Sequence, residues 1–151
     1  MQSDLDRFDQ AILDVLSAEG RISVTDLAAR IGLSKTPTQT RLKRLERDGV
    51  ITGYRAMLDP IRIGRDHVAF VEVKLTDTRE AALAAFNAAV RKVPEIEQCH
   101  MVAAGFDYLL KVRTADMTAY RRVLAEEIST LPHVAQTSTF VAMQAVKEGG
   151  V

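Results

Sequence analysis

Residues 23–48 read SVTDLAARIGLSKTPTQTRLKRLERD, and their spacing predicts two helices joined by a glycine turn. Ser23 can cap the first helix, with Asp26 three residues on as the acidic half of a capping box. Leu27 and Ile31 share one face at helical spacing, and Gly32 follows where a left-handed residue lets the chain leave the helix sharply. Ser34 can cap the second helix, and Pro37 falls in its first turn, where a missing N–H is harmless. Rotating the second helix by about 100° per residue puts Thr38, Leu42 and Leu45 inward. The other side collects Thr36, Pro37, Thr40, Lys43, Arg44 and Arg47, flanked by Gln39 and Arg41. Two short helices of this kind, the second basic on its outer side, form a helix-turn-helix.

Charge along the chain agrees with a polyanionic partner. Lys+Arg and Asp+Glu number 20 each, so the whole is neutral. Residues 1–29 carry two basic side chains against six acidic ones. Residues 30–55 carry seven basic side chains (Arg30, Lys35, Arg41, Lys43, Arg44, Arg47, Arg55) against Glu46 and Asp48. A concentrated positive surface is what phosphate binding requires, so double-stranded DNA is the expected partner. Such a helix enters the major groove by its N-terminal residues. Thr36, Gln39 and Thr40 are then the candidates for base readout, beside Lys35 and Pro37. Arg41, Lys43, Arg44 and Arg47 are expected on phosphates or guanines, and Arg55 on the backbone.

Working outward, Leu5, Phe8, Ile12 and Leu16 predict a first helix, capped by Asp4 or Asp6, that closes a three-helix core. After Gly49, the run VITGYRAML suggests a short two-stranded wing. The expected DNA-binding domain is 1–58, with 59–66, containing Pro60 and Gly64, as a linker. Residues 67–151 change texture. VAFVEVKL (68–75) reads as a strand, and Leu83, Phe86, Val90 and Val93 as one face of a helix ended by Pro94. IEQCHMV (96–102) and FDYLLKVR (106–113) read as a hairpin around AAG. Met117, Tyr120, Leu124, Ile128 and Leu131 mark a helix running from Asp116 to Pro132, and VAQTSTFVAMQAV a last strand. The order βαββαβ is the ferredoxin-like split βαβ, which makes the chain α+β. Two helices on one face of an antiparallel sheet leave the other face open, so a homodimer is expected.

Several function classes recede on composition. A single cysteine, Cys99, excludes an intrachain disulfide framework, and His100 and His133 lack partners at ligand spacing, so no metal site is expected. The N-terminus has no signal-like segment and no apolar run approaches a membrane span, which makes the cytoplasm the expected compartment. No nucleophile or acid–base motif points to an enzyme or a catalytic residue.

The chain resembles the Lrp/AsnC, or feast/famine, family of transcription regulators, and most of all its leucine-responsive branch. The likeness runs from LDRFDQAILDVL and GRISVTDLAARIGLS through RLKRLERDGVITGY, FNAAVRKVPEIEQCHMV and FDYLLKVRTADMTAYRRVL to TFVAMQAVK. It implies an N-terminal winged helix-turn-helix, a C-terminal βαββαβ ligand-binding domain, dimers that often assemble into octamers, and an amino acid as effector, with no other cofactor. Family members bind that amino acid with the hairpin loop, commonly Gly-Asp-x-Asp-Tyr. Here the loop is Ala104-Gly105-Phe106-Asp107-Tyr108, which keeps Asp107 and Tyr108 and departs at the first two positions. An amino acid offers one ammonium and one carboxylate. Asp107 could accept from the first. Thr137, Thr139 and the backbone at Ala104 and Gly105 could donate to the second, with Met117 and Phe140 shaping the side-chain pocket. Leucine and proline are both plausible effectors, and a ligand-independent architectural DNA-binding protein is the alternative reading.

Overall fold

The computed structural model describes residues 4–149, so residues 1–3 and 150–151 of the two expected domains lie outside the described residues. Two compact units emerge, one ending at Met57 and the other spanning Leu58–Glu148.

The first unit holds three helices, α1 (Arg7–Ala18), α2 (Val24–Ile31) and α3 (Lys35–Arg47). Of the two candidate caps for α1, Asp6 performs the task. Its carboxylate accepts from the N–H groups of Phe8 and Asp9, and Asp9 answers at the Asp6 N–H, completing a capping box. Ser23 Oγ accepts from Asp26 N at 3.1 Å, and Gly32 ends α2 in the left-handed region at φ 75°. Ser34 precedes α3 without a side-chain cap bond, while its carbonyl accepts from the buried Thr38 hydroxyl at 2.9 Å. Ile12, Leu27 and Leu45 form the core, with Leu16, Ile31, Leu42, Val50 and Ile51 packed around them. Each such aliphatic side chain contributes about 1.5–3 kcal/mol when fully buried.

The wing differs from expectation. No strand is present between Val50 and Asp59. Val50 and Ile51 complete the helical core instead, and Tyr54 donates its hydroxyl proton to Glu46 at 3.0 Å. Those anchors take the first half of the segment away from any hairpin, so residues 52–58 run exposed and form no strand.

The second unit runs β1 (His67–Leu75), α4 (Glu80–Val90), β2 (Ile96–Met101), β3 (Tyr108–Thr114), α5 (Met117–Val123) and β4 (Val134–Val141). Its four strands form an antiparallel sheet in the order β2-β3-β1-β4. Alternation along β1 explains why it is central. Ala69, Val71, Val73 and Leu75 point to one face and are buried against Phe86 and Val90 of α4 and Tyr120, Val123 and Ile128 beyond. The Phe86 and Tyr108 rings lie 4.3 Å apart at the centre of that core.

Two elements end differently from the sequence reading. The helix expected to run unbroken to Pro132 widens into a π-helical turn over Leu124–Ile128, where Ser129 N donates to Leu124 O at 2.9 Å. The last strand stops at Val141 because β1 begins at His67 and offers no further partner beyond the Ala142 N to Val68 O bond. Past that point Glu148 is held by Lys111 Nζ at 2.7 Å and Arg113 Nη2 at 2.9 Å.

Candidate nucleic-acid interface and effector groove

On α3 the residues read as facing DNA divide into two sets. Lys35, Thr36, Pro37, Gln39, Thr40, Lys43 and Arg47 are exposed on the outer side. Thr40 donates its hydroxyl proton to the Thr36 carbonyl at 3.1 Å, so it presents a methyl group and acceptor lone pairs outward. Lys35 and Lys43 have no ion-pair partner among the described residues. Arg47 has its neighbour Asp48 as its one ion-pair partner among the described residues and is three-quarters exposed. Arg55, in the extended segment after α3, is exposed and likewise without an ion-pair partner among the described residues.

Arg41 and Arg44 behave differently from the expectation that placed them on phosphates or guanines. Arg41 Nη1 lies 2.7 Å from Asp6 Oδ2 and 2.9 Å from Asp9 Oδ1, with its guanidinium over the Phe8 ring. Arg44 Nη2, buried and outside hydrogen-bond geometry with any acceptor among the described residues, forms an ion pair with Asp9 Oδ2 at 2.5 Å. The Asp9 backbone N–H, followed by the Arg41 guanidinium, holds the Asp6 carboxyl below the usual carboxylate range. Arg41 is correspondingly pushed up, by Asp6 first and then Asp9. Summing charge along the chain counted both arginines as free. Asp9 is not among the sequence candidates, although its place on the same helical stripe as Ile12 and Leu16 signals that a carboxylate faces inward.

In the second unit, the eight residues named for an amino acid do not converge on one cavity. Cross-strand pairing settles the faces: Val73 lies opposite Thr137, Val71 opposite Thr139, and Phe70 opposite Phe140. Thr137 and Thr139 therefore point toward the helices, where Thr139 Oγ1 is bonded to the Tyr120 hydroxyl. Phe140 points to the open face. Tyr108 is 2% exposed and donates its hydroxyl proton to Asn87 Oδ1 at 2.7 Å, which makes it a core residue. Met117 is exposed at the start of α5. Asp107 spends one carboxylate oxygen on the backbone, with Oδ2 accepting from Leu75 N at 2.7 Å while its own N–H donates to Val73 O at 2.9 Å.

The open face of the sheet carries a groove of about 300 Å³ beside the hairpin turn. It is lined by Glu72 and Lys74 of β1, Gln136 and Ser138 of β4, and Gly105 and Phe106 of the turn; Ala104 adjoins it, exposed. Neither Glu72 nor Lys74 has an ion-pair partner among the described residues. A second cleft, about 470 Å³, lies between α4 and the edge strand β2, where Arg91, Glu97 and Cys99 contribute to the walls. Burial pushes the Cys99 thiol up, which keeps it protonated at neutral pH. No group of metal-ligating side chains occurs among the described residues.

A helix-turn-helix followed by a βαββαβ unit is also what comparison with known proteins finds. Residues 5–52 match the family described as Winged helix-turn-helix DNA-binding, and residues 68–151 match the Lrp/AsnC ligand binding domain. The chain belongs to the Lrp/AsnC family. Within that family it is 64% identical over 148 residues to the proline dehydrogenase transcriptional activator of Rhizobium radiobacter, covering 98% of this chain and 95% of the relative. It is 48% identical over 145 residues to the leucine-responsive regulatory protein of Salmonella typhimurium, covering 96% and 88%. Among solved structures, a transcriptional regulator of Neisseria meningitidis in complex with L-methionine superposes with a TM-score of 0.88 at 31% identity, over 95% of this chain and 93% of the other. This Lrp/AsnC protein is thus a DNA-binding transcription regulator with an amino-acid-binding domain, and its known relatives are regulators. None of its described helices is long and apolar enough to cross a membrane.

Proposed function

We propose that the protein activates transcription of a proline dehydrogenase gene in the cytoplasm when proline binds to its βαββαβ domain. The target gene follows from the Rhizobium radiobacter relative, whose name states that role and whose identity extends over nearly the whole chain. Base readout falls to Thr36, Gln39 and Thr40, which share the exposed N-terminal half of α3. Lys35, Lys43, Arg47 and Arg55 provide phosphate contacts.

One observation carries the effector reading: two unpaired opposite charges, Glu72 and Lys74, share the groove beside the hairpin turn. Residues two apart on a strand stand about 7 Å from each other on the same face. That separation brackets an amino acid, with Glu72 accepting from the secondary ammonium and Lys74 meeting the carboxylate. Phe106 offers an apolar surface to a pyrrolidine ring, and the Ala104–Gly105 backbone offers further donors. Binding, with no bond made or broken, is all this role requires, so the protein acts as a regulator and not as an enzyme. Phe70 and Phe140 are exposed on the same open face, and we assign that face to a second copy of the chain, giving a homodimer that builds toward larger assemblies such as an octamer.

A thermal-shift screen of the full-length protein against the twenty amino acids tests this reading. Proline at 100 times its dissociation constant adds about 2.7 kcal/mol to the folded state and raises the Tm accordingly. Glu72→Gln abolishes the shift and leaves the ligand-free Tm in place. No response to proline, or a full response in Glu72→Gln, overturns the assignment.

A further inference from the structure

We propose that Asp9 is the positioning residue of the recognition helix: one buried carboxylate on α1 fixes the rotation of α3 and withholds Arg44, and with Asp6 also Arg41, from DNA. Asp9 is 1% exposed, yet it accepts from the Asp6 N–H at 3.2 Å and faces two guanidinium groups at 2.9 and 2.5 Å. A carboxylate buried to that degree persists only where its charge and lone pairs are matched. Arg41 and Arg44 are three residues apart and lie on adjacent turns of α3. Two-point attachment on one face of a helix sets its rotation about its own axis as well as its position. It therefore determines which side chains turn outward, namely Thr36, Gln39, Thr40 and Lys43.

The electrostatic consequence is specific. Asp6, Asp9, Arg41 and Arg44 sum to zero, so two of the positive charges that make residues 30–55 basic are neutralised inside the DNA-binding unit. Sequence-independent attraction to phosphate grows with every free cation, whereas base contacts carry the discrimination. By occupying the two arginines, α1 limits the first term and leaves the second. Asp9 engages the Arg44 guanidinium from inside the unit, and in that sense it competes with the DNA backbone for the same cation.

Salt dependence separates this role from a merely structural one. The measurement is the slope of log Kobs against log salt for full-length protein on a labelled duplex of scrambled sequence, read by fluorescence anisotropy. Asp9→Asn frees Arg44, whose one carboxylate partner among the described residues is Asp9, while Arg41 keeps Asp6. The slope then steepens by about 0.9, the value of one additional phosphate contact. Arg44→Gln leaves the wild-type slope unchanged, because in the native protein Arg44 is already engaged. A structural Asp9 alone would lower the Tm and weaken binding at every salt concentration with no change of slope, and that result in Asp9→Asn overturns the proposal. So does an Arg44→Gln slope shallower by about 0.9, and this variant decides the matter if Asp9→Asn does not fold. Lys43→Gln distinguishes the two levels of the reading. If it fails to flatten the slope, α3 is not the DNA-facing helix and the proposal falls with it. If both Lys43→Gln and Arg44→Gln flatten it, α3 stands and the role of Asp9 is refuted.

Discussion

Replacing Asp107 discriminates a structural carboxylate from an effector ligand. Its Oδ2 accepts from Leu75 N at 2.7 Å, at the end of β1 where the pairing with β4 shifts register and β3 has begun to turn away. Leu75 is itself buried, so Asp107→Ala removes the acceptor of a part-buried backbone donor. An unsatisfied buried group costs about 1–3 kcal/mol, and a bond to an ionised acceptor is roughly twice as strong as a neutral one. From these magnitudes Asp107→Ala destabilises the second unit by about 2 kcal/mol. Asp107→Asn, which keeps an acceptor oxygen, destabilises it by about 1 kcal/mol or less. Urea unfolding followed by tyrosine fluorescence measures both, in a Tyr54→Phe background where the remaining tyrosines, Tyr108 and Tyr120, both lie in that unit. Because the proposed ammonium acceptor is Glu72, the proline response survives in Asp107→Asn. The reasoning fails if Asp107→Ala stays within about 0.5 kcal/mol of the parent, or if Asp107→Asn keeps its stability and loses the response.

Other predictions follow from single residues. Gly32→Ala destabilises the DNA-binding unit by about 1 kcal/mol, seen as a lower Tm by circular dichroism. The added Cβ meets nothing within 4 Å, and the penalty is that of an L side chain in the left-handed region at φ 75°. Tyr54 is pushed up to about 12, by partial burial first and then by its bond to Glu46. A raised folded-state value means that its stabilising contribution is complete below the unfolded value of about 10 and is lost as pH rises through 12. Alkaline titration of phenolate absorbance therefore shows one transition missing near pH 12 in Tyr54→Phe, and the stability of Tyr54→Phe depends less on pH between 10 and 12.

Much of the architecture was legible because its determinants are local. Ser23, Gly32 and the Thr38, Leu42, Leu45 stripe act within one or two turns of helix, and alternation in β1 assigns its core face without reference to any other strand. What escaped depends on pairing between distant segments. Asp9 and Arg41 are 32 residues apart, and no count of charges reveals that one cancels the other. The effector residues show the same limit in a sheet. A strand alternates with period two, so whether Thr137 and Thr139 or Gln136 and Ser138 face the groove depends on the register of β4 against β1. The two strands expected within the wing do not form because the branched side chains of Val50 and Ile51, which suit a strand, serve the helical core equally well.

The position of the groove gives the proposed regulator a thermodynamic constraint. Glu72, Lys74 and Phe106 lie on the open face assigned to a second copy, so effector and partner meet the same surface. An effector that binds both assembly states equally shifts nothing, whatever its affinity. If proline binds one state tenfold more tightly, the preference is worth about 1.4 kcal/mol in the association equilibrium, and by reciprocity assembly changes proline affinity by the same factor. Proline affinity must then depend on protein concentration across the range where the assembly forms. Asp9 and its two arginines belong to the other unit, and nothing in their ion pairs involves the groove. Substituting Asp9 should accordingly alter the salt dependence of DNA binding without altering the concentration dependence of proline binding, and Glu72→Gln should abolish proline binding without altering that salt dependence.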